Sequence, residues 1–125
     1  MNKIIRMEET PEQYDLAGKV IGFAMKVHST LGSGFLESVY QSALALELRR
    51  AGLELVGAFV ADLLVNDTLI VETKAIQVLA KIHEVQLVNY LVATGVDEGL
   101  LLNFGAEHLE FKKKFRRPKQ QTASL

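Results

Sequence analysis

Two short apolar runs that carry charges inside them constrain this chain most. Phe59-Val60-Ala61-Asp62-Leu63-Leu64-Val65 and Leu69-Ile70-Val71-Glu72-Thr73-Lys74-Ala75 are separated by Asn66-Asp67-Thr68. Their Val, Leu and Ile content, with turn formers between, predicts a β-hairpin. Apolar and polar residues do not alternate cleanly, so both faces of these strands should be covered. Asp62, Glu72 and Lys74 then need a reason to be there. A buried charge is costly unless it is paired or bound to a cation.

The turn decides which charges meet. Glu72 and Lys74 are two apart and share a face of their strand. A two-residue loop at Asn66-Asp67 sets Asp62 opposite Val71 and sends the two acids to opposite faces. A three-residue loop, Asn66-Asp67-Thr68, sets Asp62 across from Glu72 and Val60 across from Lys74. Sequence alone leaves both registers open. In the second, carboxylates about 5 Å apart repel each other unless a cation sits between them. Oxygen donors of this kind suit Mg²⁺, which also takes phosphate oxygens, and a neighbouring ammonium steadies developing negative charge. The blander reading is an ion pair reaching solvent at the strand ends.

Helical spacing flanks the hairpin. Thr10-Pro11-Glu12-Gln13 reads as a helix start, with Thr10 as the cap, and the apolar stripe behind it runs to Leu31. A second helix is expected over Phe35–Ala51, with Arg49 and Arg50 in its last turn and Gly52 as the stop. A third runs from Leu79 to Thr94, with Ile82, Val85, Val88, Leu91 and Val92 inward. On it His83, Gln86 and Tyr90, with Asn89 beside them, make a polar stripe. Glu37 opens the second helix after Gly32-Ser33-Gly34, where its charge suits the helix dipole. Gly99–Phe104 and Leu109–Lys112 are expected to pair as a second hairpin.

The chain has 125 residues, enough for one domain, expected to span 1–125 with an ordered core over about 10–115 and a flexible polar tail over 116–125. Zero cysteines exclude a disulfide scaffold, a thiolate zinc site and a cysteine nucleophile. The N-terminal segment lacks the apolar stretch of a secretory signal, and no apolar run approaches the ~20 residues of a membrane span. A cytoplasmic protein with no membrane partner is the expectation. The formal charge of −1 hides an asymmetry: six of the 14 Lys and Arg residues lie within 112–119, which leaves the rest acidic. Lys112, Lys113, Lys114, Arg116 and Arg117 are thus candidates for salt-sensitive contacts with nucleic acid.

Leu31-Gly32-Ser33-Gly34-Phe35-Leu36-Glu37-Ser38-Val39-Tyr40 resembles the defining segment of the GxxExxY protein family, with Gly34, Glu37 and Tyr40 at the naming positions. The likeness continues through Ala61–Val65, Ile70–Ala75, Gln86–Leu91, Ala93–Gly95 and Gly99–Gly105. That family is grouped with the PD-(D/E)XK nuclease superfamily. The resemblance implies an α+β, mixed α/β fold: two N-terminal helices, a central mixed sheet, and one helix between two β-hairpins. It implies a metal-dependent nuclease acting on DNA or RNA with Mg²⁺ or Mn²⁺. Asp62, Glu72 and Glu37 would ligate the metal, Lys74 would serve the attacking water, and Gln86 would contact the site. Tyr40, His83, Asn89 and Tyr90 are possible accessories. The stretch between Gly52 and Asp62 is shorter than the family's, so a shortened first strand region is expected. An exposed sheet edge there would invite homodimerisation or impair activity. The alternative is therefore a non-catalytic nucleic-acid-binding or assembly module on the same fold.

Overall fold

The computed structural model describes residues 11–59 and 62–116, and at 11–15, 58, 59 and 62 the backbone. Along the chain run α1 (Pro11–Leu31), α2 (Glu37–Arg50), β1 (Leu55–Phe59), β2 (Asp62–Val65), β3 (Leu69–Lys74), α3 (Lys81–Thr94), β4 (Glu98–Asn103) and β5 (Glu110–Phe115). The strands form one sheet in the order β1-β2-β3-β4-β5. β3 and β4 are parallel, joined through α3, and every other neighbouring pair is antiparallel. The fold is the α+β arrangement with a mixed sheet that the sequence implies.

Both faces of the sheet are covered. α1 and α2 bring Val20, Ala24, Val27, Tyr40, Leu44 and Leu48 onto Leu63, Val65, Leu69, Val71, Leu100, Leu102 and Phe104. α3 brings Leu87 and Leu91 onto Ile70 and Leu101 of the other face. Successive residues of β3 and β4 alternate between these two cores, which is why their apolar runs show no period of two. Among the described residues no helix is long and apolar enough to cross a membrane.

The turn after β2 takes the longer option. Asn66 and Asp67 sit at φ 50° and 61°, a left-handed conformation that these two residue types tolerate. The Thr68 N–H donates to the Val65 carbonyl at 3.0 Å. Leu69 then pairs with Val65, so Thr68 is one residue beyond a two-residue hairpin loop.

Several expectations need correction. The run Phe59–Val65 is two strands rather than one: Phe59 ends β1 and pairs antiparallel with Asp62 at the start of β2. Apolar content alone does not separate one buried strand from two that face each other. The first strand is thus present and short, and its register slips between Val56 and Phe59, an irregularity that blunts an edge. On α3, Ile82, Val85 and Val92 are exposed and Val88 is half-buried, whereas Leu87 and Leu91 are fully buried. A helix apolar on most sides gives no phase from which to choose its buried side. α2 starts at Glu37, after Leu36 in an extended conformation (φ −69°, ψ 153°), and the Phe35 N–H donates to the Tyr40 hydroxyl at 3.2 Å. Arg116 belongs to the fold: its N–H donates to the Asp97 carbonyl at 2.8 Å, and its guanidinium meets the Asp97 carboxylate. Thr10 and the tail from Arg117 onward lie outside the described residues.

Two glycines permit close approaches of different kinds. A Cβ on Gly105 would lie 2.4 Å from the Ile76 backbone N and O, whereas one on Gly99 would meet the movable tip of Leu87 at 3.0 Å. Gly105→Ala should therefore cost about 3 kcal/mol and Gly99→Ala about 1 kcal/mol in urea unfolding, because backbone yields less than a side-chain end. Equal midpoints for the two variants would contradict this packing.

Candidate functional site

The β2–β3 ladder brings the acidic positions together. It pairs Asp62 with Glu72, Leu63 with Val71, Leu64 with Ile70 and Val65 with Leu69. Positions 62 and 72 are therefore direct neighbours on one face of the sheet, at the ~5 Å spacing of cross-strand pairs. Leu64 and Ile70, which alternate in step with them, belong to the core beneath α3, so this is the α3 face. Lys74 lies two residues further along the same face. Its Nζ is 3.6 Å from Glu72 Oε2, with the two side chains 22% and 13% exposed. An ammonium and a carboxylate thus share a partly desolvated place at the carboxyl end of β3. There each costs less than it would alone.

The end of β4 closes this corner. Lys74 is level with Asn103 of β4, and Asn103 with Glu110 of β5. The Phe104 N–H donates to the Lys74 carbonyl at 2.8 Å. On the opposite face the Phe104 ring stacks on Tyr40, centroids 4.7 Å apart and planes at 9°. The Tyr40 hydroxyl donates to the Gly32 carbonyl and accepts from the Phe35 N–H. Tyr40 is fully buried and organises the glycine-rich turn instead of lining the acidic face. One helical turn before it, half-buried Glu37 opens α2 at this same end of the sheet, in the helical layer across from Glu72.

α3 borders the acidic positions with one flank. Leu87 and Leu91 face the sheet, and Glu84 turns toward β5, where Lys114 Nζ meets its Oε1 at 2.9 Å. Helical geometry places His83, Gln86 and Tyr90 on the other flank, toward β3. Tyr90 packs against Ile70, Leu87, Leu91 and Leu101, and Gln86 is exposed. His83 has local work: its Nδ1 accepts the Ala80 N–H at 3.0 Å, capping the helix start. Asn89 is exposed on the outer side of α3, away from the sheet.

The basic run is not one cationic surface. Strand alternation sends Lys112 and Lys114 to the α3 face and Lys113 to the other. Lys113 Nζ lies 3.0 Å from Glu98 Oε2 and 5.4 Å from the Phe115 ring centroid. Lys114 holds Glu84 and Arg116 holds Asp97, while Lys112 is exposed. Arg117 lies outside the described residues. Among the described side chains, Asp62's not being one of them, no three of His, Asp or Glu converge as a metal cluster.

Asn103 carries no charge to mark it in the sequence, and Glu110 stands among the alternating residues of an expected strand. Asn103 is fully buried. The signal available was an amide closing the apolar run Leu100-Leu101-Leu102, just before Phe104-Gly105.

A family model described as the PD-(D/E)XK nuclease superfamily matches residues 14–57 and 53–117. Comparison with curated proteins and with solved structures gave no match.

The electrostatics beside α3 have a pH signature. The hydrogen bond from Lys114 holds the Glu84 carboxyl below its ordinary range against the opposing effect of burial, helped by the charges of Lys114, Lys112 and Lys81. A carboxyl lowered by folding adds stability above its unfolded pKa and loses it as pH falls through the folded value. Glu84→Gln should thus be less stable than the parent by at most ~1 kcal/mol at pH 7. Melting across pH should show that gap closing in acid; a gap that widened in acid would contradict the assignment.

Proposed function

The chain belongs to the PD-(D/E)XK nuclease superfamily, and we propose that it hydrolyses phosphodiester bonds of DNA or RNA using Mg²⁺ or Mn²⁺. One observation carries the reading: Asp62 pairs across the ladder with Glu72, and Lys74 follows two residues on, beside the carboxylate. The sheet faces its candidate chemistry at the carboxyl ends of the parallel strands β3 and β4, where open α/β sheets commonly take ligands. Within the superfamily, the Gly34–Glu37–Tyr40 spacing supports a place among the GxxExxY proteins.

The donor set fits a hard divalent cation. The ladder sets the acidic positions 62 and 72 side by side, and Glu37 stands in the helical layer on the opposite face, outside that pair. When bound, such a cation lowers the pKa of water and polarises a phosphoryl oxygen. The remaining work falls to this chain's side chains. Asp62 and Glu72 would fix the position of the reacting phosphate, and their mutual repulsion is relieved once positive charge lies between them. Lys74, with three N–H donors, would orient the attacking water and offset charge gathering on the phosphoryl oxygens. Gln86, on the α3 flank, would hydrogen-bond the water or the nucleic-acid backbone. Lys112, exposed on this side of the sheet, is the described member of the basic run best placed to meet a more distant phosphate.

Incubation with single- and double-stranded DNA and RNA tests the reading. Cleavage should require Mg²⁺ or Mn²⁺, and Glu72→Gln or Lys74→Ala should each lower it at least ~100-fold while melting stays cooperative. Cleavage that survives both substitutions would overturn the assignment. Salt-dependent binding with no turnover by the unaltered chain would point to the non-catalytic module instead.

A further inference from the structure

The loop that leaves β3 after Lys74 is held by a pair of side chains, one buried and one half-buried. Asn103, fully buried at the end of β4, accepts at Oδ1 from the Ile76 N–H at 2.9 Å and from the Gly105 N–H at 3.0 Å. Two backbone donors converging on one atom require the amide oxygen there. Asn103 Nδ2 then donates to Glu110 Oε1 at 2.8 Å. That same oxygen accepts the Leu79 N–H at 3.0 Å. Four hydrogen bonds thus fix both ends of the segment between β3 and α3. Gly105 closes against it without a Cβ, which would clash with Ile76.

Fold maintenance alone does not account for where this pair sits. Lys74, Asn103 and Glu110 occupy one row across β3, β4 and β5, on the face that carries Glu72. The Lys74 carbonyl is tied to Phe104, and the N–H two residues beyond Lys74 is tied to Asn103. The backbone on either side of the ammonium's anchor point is therefore tied to the end of β4 and the residue after it. An amide was needed at 103: a leucine there would leave the Ile76 and Gly105 donors unpaired.

We propose that buried Asn103 and half-buried Glu110 form an amide–carboxylate clamp that positions Lys74 beside Glu72 for phosphodiester hydrolysis. The inference rests on the reading of Glu72 and Lys74 as the reacting pair. Neither clamp residue touches substrate; both act through the backbone that carries Lys74.

The test exploits the polarity of the pair. Asn103→Asp replaces the donor to Glu110 with a second carboxylate, so the two repel. Glu110→Gln keeps an acceptor for Leu79 and for Asn103. Combining the two restores a donor opposite the new carboxylate. Kinetics should be scored per folded molecule, with the folded fraction taken from circular dichroism at the assay temperature. Asn103→Asp should lower kcat about 10- to 100-fold with KM changed far less, since misplacing a catalytic group costs rate. Glu110→Gln should remain near the parent, and the double variant should recover at least ~10-fold over Asn103→Asp. Equal kcat per folded molecule for Asn103→Asp and the parent would overturn the clamp's role while leaving the hydrolytic reading intact, as would a double variant no better than Asn103→Asp. Absence of metal-dependent cleavage by the unaltered chain would overturn the hydrolytic reading itself, and the positioning role with it.

Discussion

The parallel pairing of β3 with β4 is the contact on which the rest depends. It is the centre of the five-stranded sheet, and it ends where the Phe104 N–H reaches the Lys74 carbonyl. Three consecutive residues there serve three directions. Asn103 holds the loop after Lys74 on the α3 face, Phe104 stacks on Tyr40 on the other, and Gly105 lets two loops touch. Tyr40 in turn pins the glycine-rich turn ahead of Glu37. The acids on the sheet and the acid on α2 are thus referred to one short stretch of β4.

Charge placement follows from that frame. β4 is buried along its whole length, and β3 is buried except at Glu72 and Lys74. The sheet therefore opens at one corner, and the corner holds an ion pair in place of apolar packing. A pair at this depth adds little net stability, since desolvation offsets attraction. The basic residues of β5 are a different case. Lys113, Lys114 and Arg116 each meet an acid of the body, so these charges of the basic run are balanced by local pairs.

Much of this was legible in the chain before folding. The helix limits at Leu31 and Thr94 follow from periodicity and the glycines beyond them, and Gly95 adopts φ 77° as a stop. Asp62, Glu72 and Lys74 stand out because charges are rare inside apolar strands. The register was not legible, because two- and three-residue loops both satisfy Asn66-Asp67-Thr68, and the choice moves every side chain to the other face. The split of Phe59–Val65 into two strands was hidden by the same apolar residues that make either reading plausible. The buried side of α3 was hidden as well, since Ile82, Val85 and Val92 match Leu87 and Leu91 in apolarity, and tertiary packing alone selects between them. Asn103 was missed because an uncharged amide gives no electrostatic reason to look at it.

The proposed hydrolysis requires positions 62 and 72 of one ladder to hold a divalent cation. Titrating Mn²⁺ into the isotopically labelled chain and following amide resonances tests it most directly, since paramagnetic broadening marks the residues around the bound ion. Asp62, Leu63, Val71, Glu72 and Thr73 should broaden first, and Glu72→Gln should abolish the effect. Broadening that begins instead around Glu84, Asp97 or Glu98, or that is unchanged by Glu72→Gln, would contradict it.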